Sequence, residues 1–177
     1  MRIVGVDPGR LGHAVAIDTI SGEGWSYKLP FDAQGSIDLA FARWLMAICR
    51  DHESIVTLEK LNAAKNDKFG NHTMFKMGFA YGQLDAAIRA TMLPSRIVTP
   101  QQWQKLFHEG IDTKLTTKEK TILAYQRMFP HDPIPKNPRQ KKINDNAVDA
   151  LFIAQYTAIK FGGGKMIDMN FINLARG

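Results

Sequence analysis

The chain is poor in the residues that build covalent or soft-ligand sites. Its single cysteine, Cys49, excludes an intrachain disulfide framework and a cysteine-based zinc site. A small apolar residue on a helix is the simplest role left for it. The five histidines are scattered without ligand spacing. No apolar run reaches membrane-spanning length and no stretch has the pattern of a signal peptide, so a cytoplasmic location without a membrane partner is expected. Acidic residues are the minority, 17 against 23 Lys plus Arg, for a net charge of +6. That balance suits a polyanionic partner, nucleic acid before an anionic membrane surface. Internal repeats are absent as well.

What is present is enough for one domain with a full core: 177 residues, 45% apolar and 23% charged. The opening MRIVGVDPG is a short β-branched strand that runs into Asp7 and breaks at Pro8-Gly9. Asp7 either caps that turn or carries a chemical duty, because a carboxylate ending a buried strand needs compensation. His13 to Ile20 and Trp25 to Leu29 continue as an antiparallel meander. Ser36 is the expected N-cap of a helix to about Asp51, with Ile37, Phe41, Trp44, Leu45 and Ile48 on one face. Ser54 to Leu58 is a second buried strand, and it too ends in a carboxylate, Glu59. After a helical crossover such a strand most simply lies parallel beside the first, which brings Asp7 and Glu59 to one sheet edge.

Residues Lys60 to Asn71 form a polar loop or loose helix start. Thr73 to Met92 is a long helix, apolar on more than one face, with Gly78 and Gly82 four apart. Arg96 to Thr99 is a short strand, and Pro100 opens a helix to about Phe107. Another helix runs from Thr117 to Phe129, capped by Thr116 or Thr117. Pro130 to Lys142 is an irregular basic loop. The last helix runs from about Asn144 to Lys160, and Gly162-Gly163-Gly164 stops it. One domain over 1–161 with a C-terminal tail over 162–177 is the expected organisation.

Asp145 and Asp149 are four apart and so share one face of that last helix. If this face meets the ends of the first and fourth strands, Asp7, Glu59, Asp145 and Asp149 converge. Four such carboxylates cannot all ionise in isolation, which implies bound divalent cations. Oxygen ligands without His or Cys favour Mg²⁺ or Mn²⁺ over zinc. Two such ions can activate a water and stabilise the leaving oxygen of a phosphodiester.

The order β-β-β-α-β-α-β-α with acids at these ends is the RNase H-like plan, an α/β fold with a mixed five-stranded sheet flanked by helices. GVDPG at Gly5 to Gly9, LEK at Leu58 to Lys60 and DNAVDALFIA at Asp145 to Ala154 resemble the RuvC family of Holliday-junction resolvases. The likeness spans about residues 1–160. VTPQQW and the TKEKTILAYQRMFP helix are similar to phage-type and related members. The resemblance implies a homodimeric endonuclease using two Mg²⁺ per active site, with Mn²⁺ able to substitute. It would make paired nicks in four-way DNA junctions and leave 5′-phosphate and 3′-hydroxyl ends.

Carried over by position, Asp7, Glu59 and Asp149 match the family's metal-binding acids. Bacterial members place an Asp or His where this chain has Asn146, so Asp145 is the expected fourth ligand and Asn146 the lesser candidate. Lys120 follows the family-like KEK pattern and is the candidate near the scissile phosphate. Lys60, Lys65, Lys68, Lys118, Lys120, Arg139, Lys141 and Lys142 flank the acidic motifs and are candidate phosphate contacts. The family's wedging aromatic has no direct counterpart, since Leu61 and Asn62 stand in that place; Phe69 is the candidate base-stacking residue, with Phe75 further on. Gly78, Tyr81 and Gly82 resemble the dimer helix. A related nuclease acting on other branched DNA, R-loops or RNA is the alternative, because its metal chemistry would be the same. A non-catalytic junction-binding protein is a third reading, and it would predict lost acids. An actin-like kinase or ATPase would need a second lobe and Gly-rich phosphate loops, and this chain has neither.

Overall fold

The structure, a computed structural model, describes residues 1–9, 12–31, 36–37, 39–61, 71–134, 143–169 and 172–174. Near-continuous apolar runs, buried on both faces, build the centre of the sheet. β1 (Arg2–Asp7) pairs antiparallel with β2 (His13–Asp18), and β2 with β3 (Gly24–Lys28). α1 (Ala40–Cys49) crosses over to β4 (Ser54–Glu59), which lies parallel to β1 as expected. α2 (Asn71–Ala90) then leads to β5 (Ser95–Val98), parallel to β4. α3 (Pro100–Phe107), α4 (Thr117–Met128) and α5 (Asp145–Phe161) follow. The five expected strands are joined by a short sixth, β6 (Ile172–Leu174), which runs parallel to β3 at the far edge in the order β5-β4-β1-β2-β3-β6.

Side-chain alternation divides the core into two layers. Val4, Val6, Ala14, Ala16, Val56 and Leu58 face α1 and α2, meeting Phe41, Leu45, Leu84 and Ile88. Ile3, Val15, Ile17 and Ile55 face the other way, onto α3, α4 and α5. By the same parity Asp7 and Glu59 point to the α5 side. The β1–β4 register ends with Val6 opposite Leu58, so the two acids leave the sheet next to each other.

α5 lies directly on β1. A Cβ added to Gly5 would stand 2.2 Å from the Ala150 carbonyl oxygen and 2.4 Å from the Ala154 nitrogen. Only a glycine facing alanines lets strand and helix backbones come this close. Beside it, the buried Thr57 and Thr157 hydroxyls are hydrogen-bonded to each other at 2.8 Å and fix the helix along the sheet. After α5 the chain turns back: the fully buried Gln155 amide bonds both the N–H and the carbonyl of Ile167 at 2.8 Å, and Met169 enters the core.

The start of α1 differs from expectation. α1 starts at Ala40 with Leu39, not Ser36, in the N-cap position. Phe31 and Ile37 form an antiparallel bridge, and the Ile37 N–H donates to Gln83 Oε1, which holds the backbone extended where the helix would have begun. Among the described residues of α2, Leu84, Ala87 and Ile88 are the ones buried in the core, while Phe75 and Phe79 stack on each other in the open. Cys49 is buried on α1.

Gly5→Ala is expected to destabilise the fold by about 3 kcal/mol, measured by denaturant unfolding. The backbone clash far exceeds the roughly 0.4–1 kcal/mol that alanine gains by restricting the unfolded chain.

Candidate active site

β1 delivers Asp7 to the edge of the sheet, 7% exposed, with Oδ1 accepting the Gly9 N–H at 2.9 Å. β4 delivers Glu59, whose Oε1 accepts from the indole N–H of Trp103 on α3 at 2.8 Å. α5 supplies Asp145 in its first turn and Asp149 one turn on, behind an N-cap at Asn144. Asp145 is paired with the Lys118 ammonium from α4.

The electrostatics show that these groups form one cluster. Burial, countered by the Gly9 N–H and reinforced by Asp145, raises the Asp7 pKa to about 6. Burial raises Glu59 to about 7; the Trp103 hydrogen bond lowers it and Asp7 adds to the rise. Asp149 rises furthest, to about 8, from burial and then from repulsion by Asp7, Glu59 and Asp145, with Lys118 opposing. Asp149 is therefore coupled to all three other acids, and the exposed Lys118 acts on two of the four, Asp145 and Asp149.

The donor set fits a hard divalent cation: it is all oxygen, desolvated, and short of positive charge once ionised. Among the described residues no three His, Cys, Asp or Glu side chains form a ready-made metal cage. Asp7, Glu59 and Asp145 each have a partner of their own instead: the Gly9 N–H, Trp103 and Lys118.

The other expected residues are distributed unevenly. Lys120 does not reach the acids, because its Nζ donates to the Thr113 carbonyl at 3.1 Å; Lys118, expected only as a DNA contact, meets them. Their spacing of two puts them on different sides of α4, and the sequence did not show which side faces α5. Asn146 is half-buried beside Asp145, and Lys60 is exposed just past Glu59. Lys65, Lys68, Phe69, Arg139, Lys141 and Lys142 lie outside the described residues. Gly78 and Gly82 are exposed, with nothing within 4 Å of an added Cβ, and Tyr81 packs half-buried against the α1–α2 core. Trp103 was not singled out as a site residue; its only signal was its place in VTPQQW.

Six strands in this order, with the acids at the ends of β1 and β4 and at the start of α5, can be compared with solved structures. RuvC from Thermus thermophilus, in complex with a Holliday junction substrate, superposes with a TM-score of 0.58 at 16% identity, covering 95% of this chain and 99% of that one. A second Thermus thermophilus RuvC structure gives a TM-score of 0.56 at 18% identity, over 94% of this chain and 99% of that one. The fold is that of RuvC. At these identities the likeness to RuvC is one of fold. No family model matches the chain, and no curated protein matches it in sequence. Among the described residues no helix is long and apolar enough to cross a membrane.

The raised pKa values carry a stability signature. Folded Asp7, Glu59 and Asp149 hold protons up to about pH 6, 7 and 8, whereas the unfolded carboxyls, at 3.8 to 4.5, have already lost them. Stability in a chelator should therefore be greatest, as regards this cluster, below about pH 4, and decline as pH rises through 6 and 7 towards 8. Asp149→Asn should flatten that decline and stabilise the chain at pH 8 by on the order of 1–2 kcal/mol, read from thermal unfolding at several pH values.

Proposed function

We propose that this chain is a divalent-metal-dependent endonuclease that resolves four-way DNA junctions by paired nicks, leaving 5′-phosphate and 3′-hydroxyl ends. The observation that carries this reading is the mutual coupling of Asp7, Glu59, Asp145 and Asp149 at one sheet edge. It is supported by the fold, shared with a RuvC whose structure holds a Holliday junction, and by the net charge of +6.

Asp7, Glu59 and Asp149 would hold Mg²⁺ or Mn²⁺, with Asp145 as fourth ligand and Asn146 as the lesser candidate; the nuclease unit would be residues 1–161. When bound, the cations supply an activated water and charge stabilisation at the leaving oxygen. The chain's own contribution is placement. Trp103 holds one Glu59 oxygen and leaves the other available. The Gly9 N–H anchors Asp7, and the Pro8-Gly9 turn carries the chain away from the carboxyl. Lys118, its side chain 71% exposed, shields Asp145 and is placed to contact a phosphate. Lys60 and Lys120, with Lys65, Lys68, Phe69, Arg139, Lys141 and Lys142, would extend the contact along branched DNA.

Asp7→Asn should lower Mg²⁺-dependent nicking of a synthetic four-way junction about a hundredfold or more while gel-shift binding persists. Parallel rates on junction, flap, RNA–DNA hybrid and linear duplex decide the substrate; a preference for flap or hybrid would favour the related RNase H-like activity.

Paired nicking needs two active sites. The exposed α2 face around Gly78, Tyr81 and Gly82, with Phe75 and Phe79 beside it, would form the homodimer contact. Sedimentation at micromolar concentration should give a dimer, and Gly82→Glu should shift it to monomer.

A further inference from the structure

His13 is a buried titratable residue that the proposed chemistry does not use. It opens β2, and its Cα pairs with that of Asp7 across the antiparallel ladder. Strand alternation puts it on the face of Val15 and Ile17, toward α5. Far along the chain, Asn144 caps α5 through its side-chain oxygen, which accepts the Ala147 N–H at 3.4 Å. With the oxygen so used, the amide nitrogen faces His13 Nε2 at 3.1 Å. An amide nitrogen only donates, so Nε2 is the acceptor of this bond. Turning the amide over would bring its NH2 against the Ala147 N–H and lose the cap. The cap and the His13 acceptor therefore select the same amide orientation.

This hydrogen bond joins the strand beside Asp7 to the residue immediately before Asp145. When ionised, Asp7 repels Asp145 and Asp149, which works against the close seating of the start of α5 on β1. The His13–Asn144 bond opposes that repulsion where the helix begins. We propose that His13 is a positioning residue: by accepting from Asn144 it fixes the first turn of α5, and with it Asp145 and Asp149, relative to Asp7. The functional consequence rests on the acids being a cation site.

The test uses the full chain with Mn²⁺ as the probe, titrated calorimetrically. His13→Leu keeps the bulk and removes the acceptor. His13→Gln returns an amide oxygen near the Nε2 position. Asn144→Ser keeps a capping oxygen and removes the amide donor. His13→Leu and Asn144→Ser should each weaken Mn²⁺ binding by about tenfold or more, as losses of outer partners of metal ligands do. His13→Gln should recover most of the affinity, and the Leu/Ser double variant should be no worse than either single one. Additive losses, or equal affinity of the Leu and Gln variants, would overturn the proposal. Hydrogen exchange of the Ala147 amide gives a readout independent of metal and of fold stability elsewhere: faster in His13→Leu than in His13→Gln supports the link, and equal rates overturn it. Wild-type chain that binds no Mn²⁺ would remove the cation site, and the Ala147 exchange rates would then decide the His13 link alone.

Discussion

The close approach of α5 to β1 governs the rest of this structure. Gly5 faces the backbone of Ala150 and Ala154 with no side chain between them. Asp149 adjoins one of those alanines and Asp7 lies two residues beyond Gly5, so the contact that packs the core also sets the height of the acids. Small residues here have a cost in buried area, which the flanking Phe152, Leu151 and Ile153 make up by filling the core on either side. The Thr57–Thr157 hydroxyl pair satisfies two buried polar groups at the same crossing and prevents the helix from sliding.

The contact forces carboxyl groups together in a place where water is scarce. Burial is the largest cause of the raised pKa of Asp7, Glu59 and Asp149, and mutual repulsion adds to it. The fold tolerates the cluster by giving acids individual partners: an amide N–H, an indole N–H and an ammonium. A cluster held in this state favours nearby positive charge, which is what the proposed phosphodiester-cleaving centre would require. Among the described residues Asp149 has no hydrogen-bond donor comparable to Trp103 or Gly9, and it is repelled by all three other acids, which makes its charge the least compensated of the four.

The two faces of the sheet divide the labour. Toward α3, α4 and α5 the core is thick and aromatic, with Trp103, Phe107 and Phe152 in ring contact, and the site-bearing helices are anchored there. Trp103 belongs to both, with its ring in the core and its N–H on Glu59, so packing and the orientation of the Glu59 carboxyl are set by one side chain. Toward α2 the cover is thinner: the second half of that helix packs on the sheet and the first half stands exposed.

Much of the plan could be derived from residue pattern alone. β-branched runs ending in Asp7 and Glu59 mark strands whose alternation sends both acids to one face, and the spacing of Asp145 and Asp149 puts them together on a helix. These are local rules of period and capping, and they held for β1, β4 and α5. Ser36 misled because a long-range bond, Ile37 to Gln83, overrode the local N-cap preference. β6 was hidden because three residues carry too little periodicity, and its pairing depends on the Gln155 clasp that returns the chain. Only the tertiary structure could decide that Lys118 rather than Lys120 meets the acids, that Trp103 holds Glu59, and that His13 answers Asn144. Each of these is a contact between elements far apart in the chain, fixed by the angle and rotation at which helices pack on the sheet, and no local pattern encodes those two quantities.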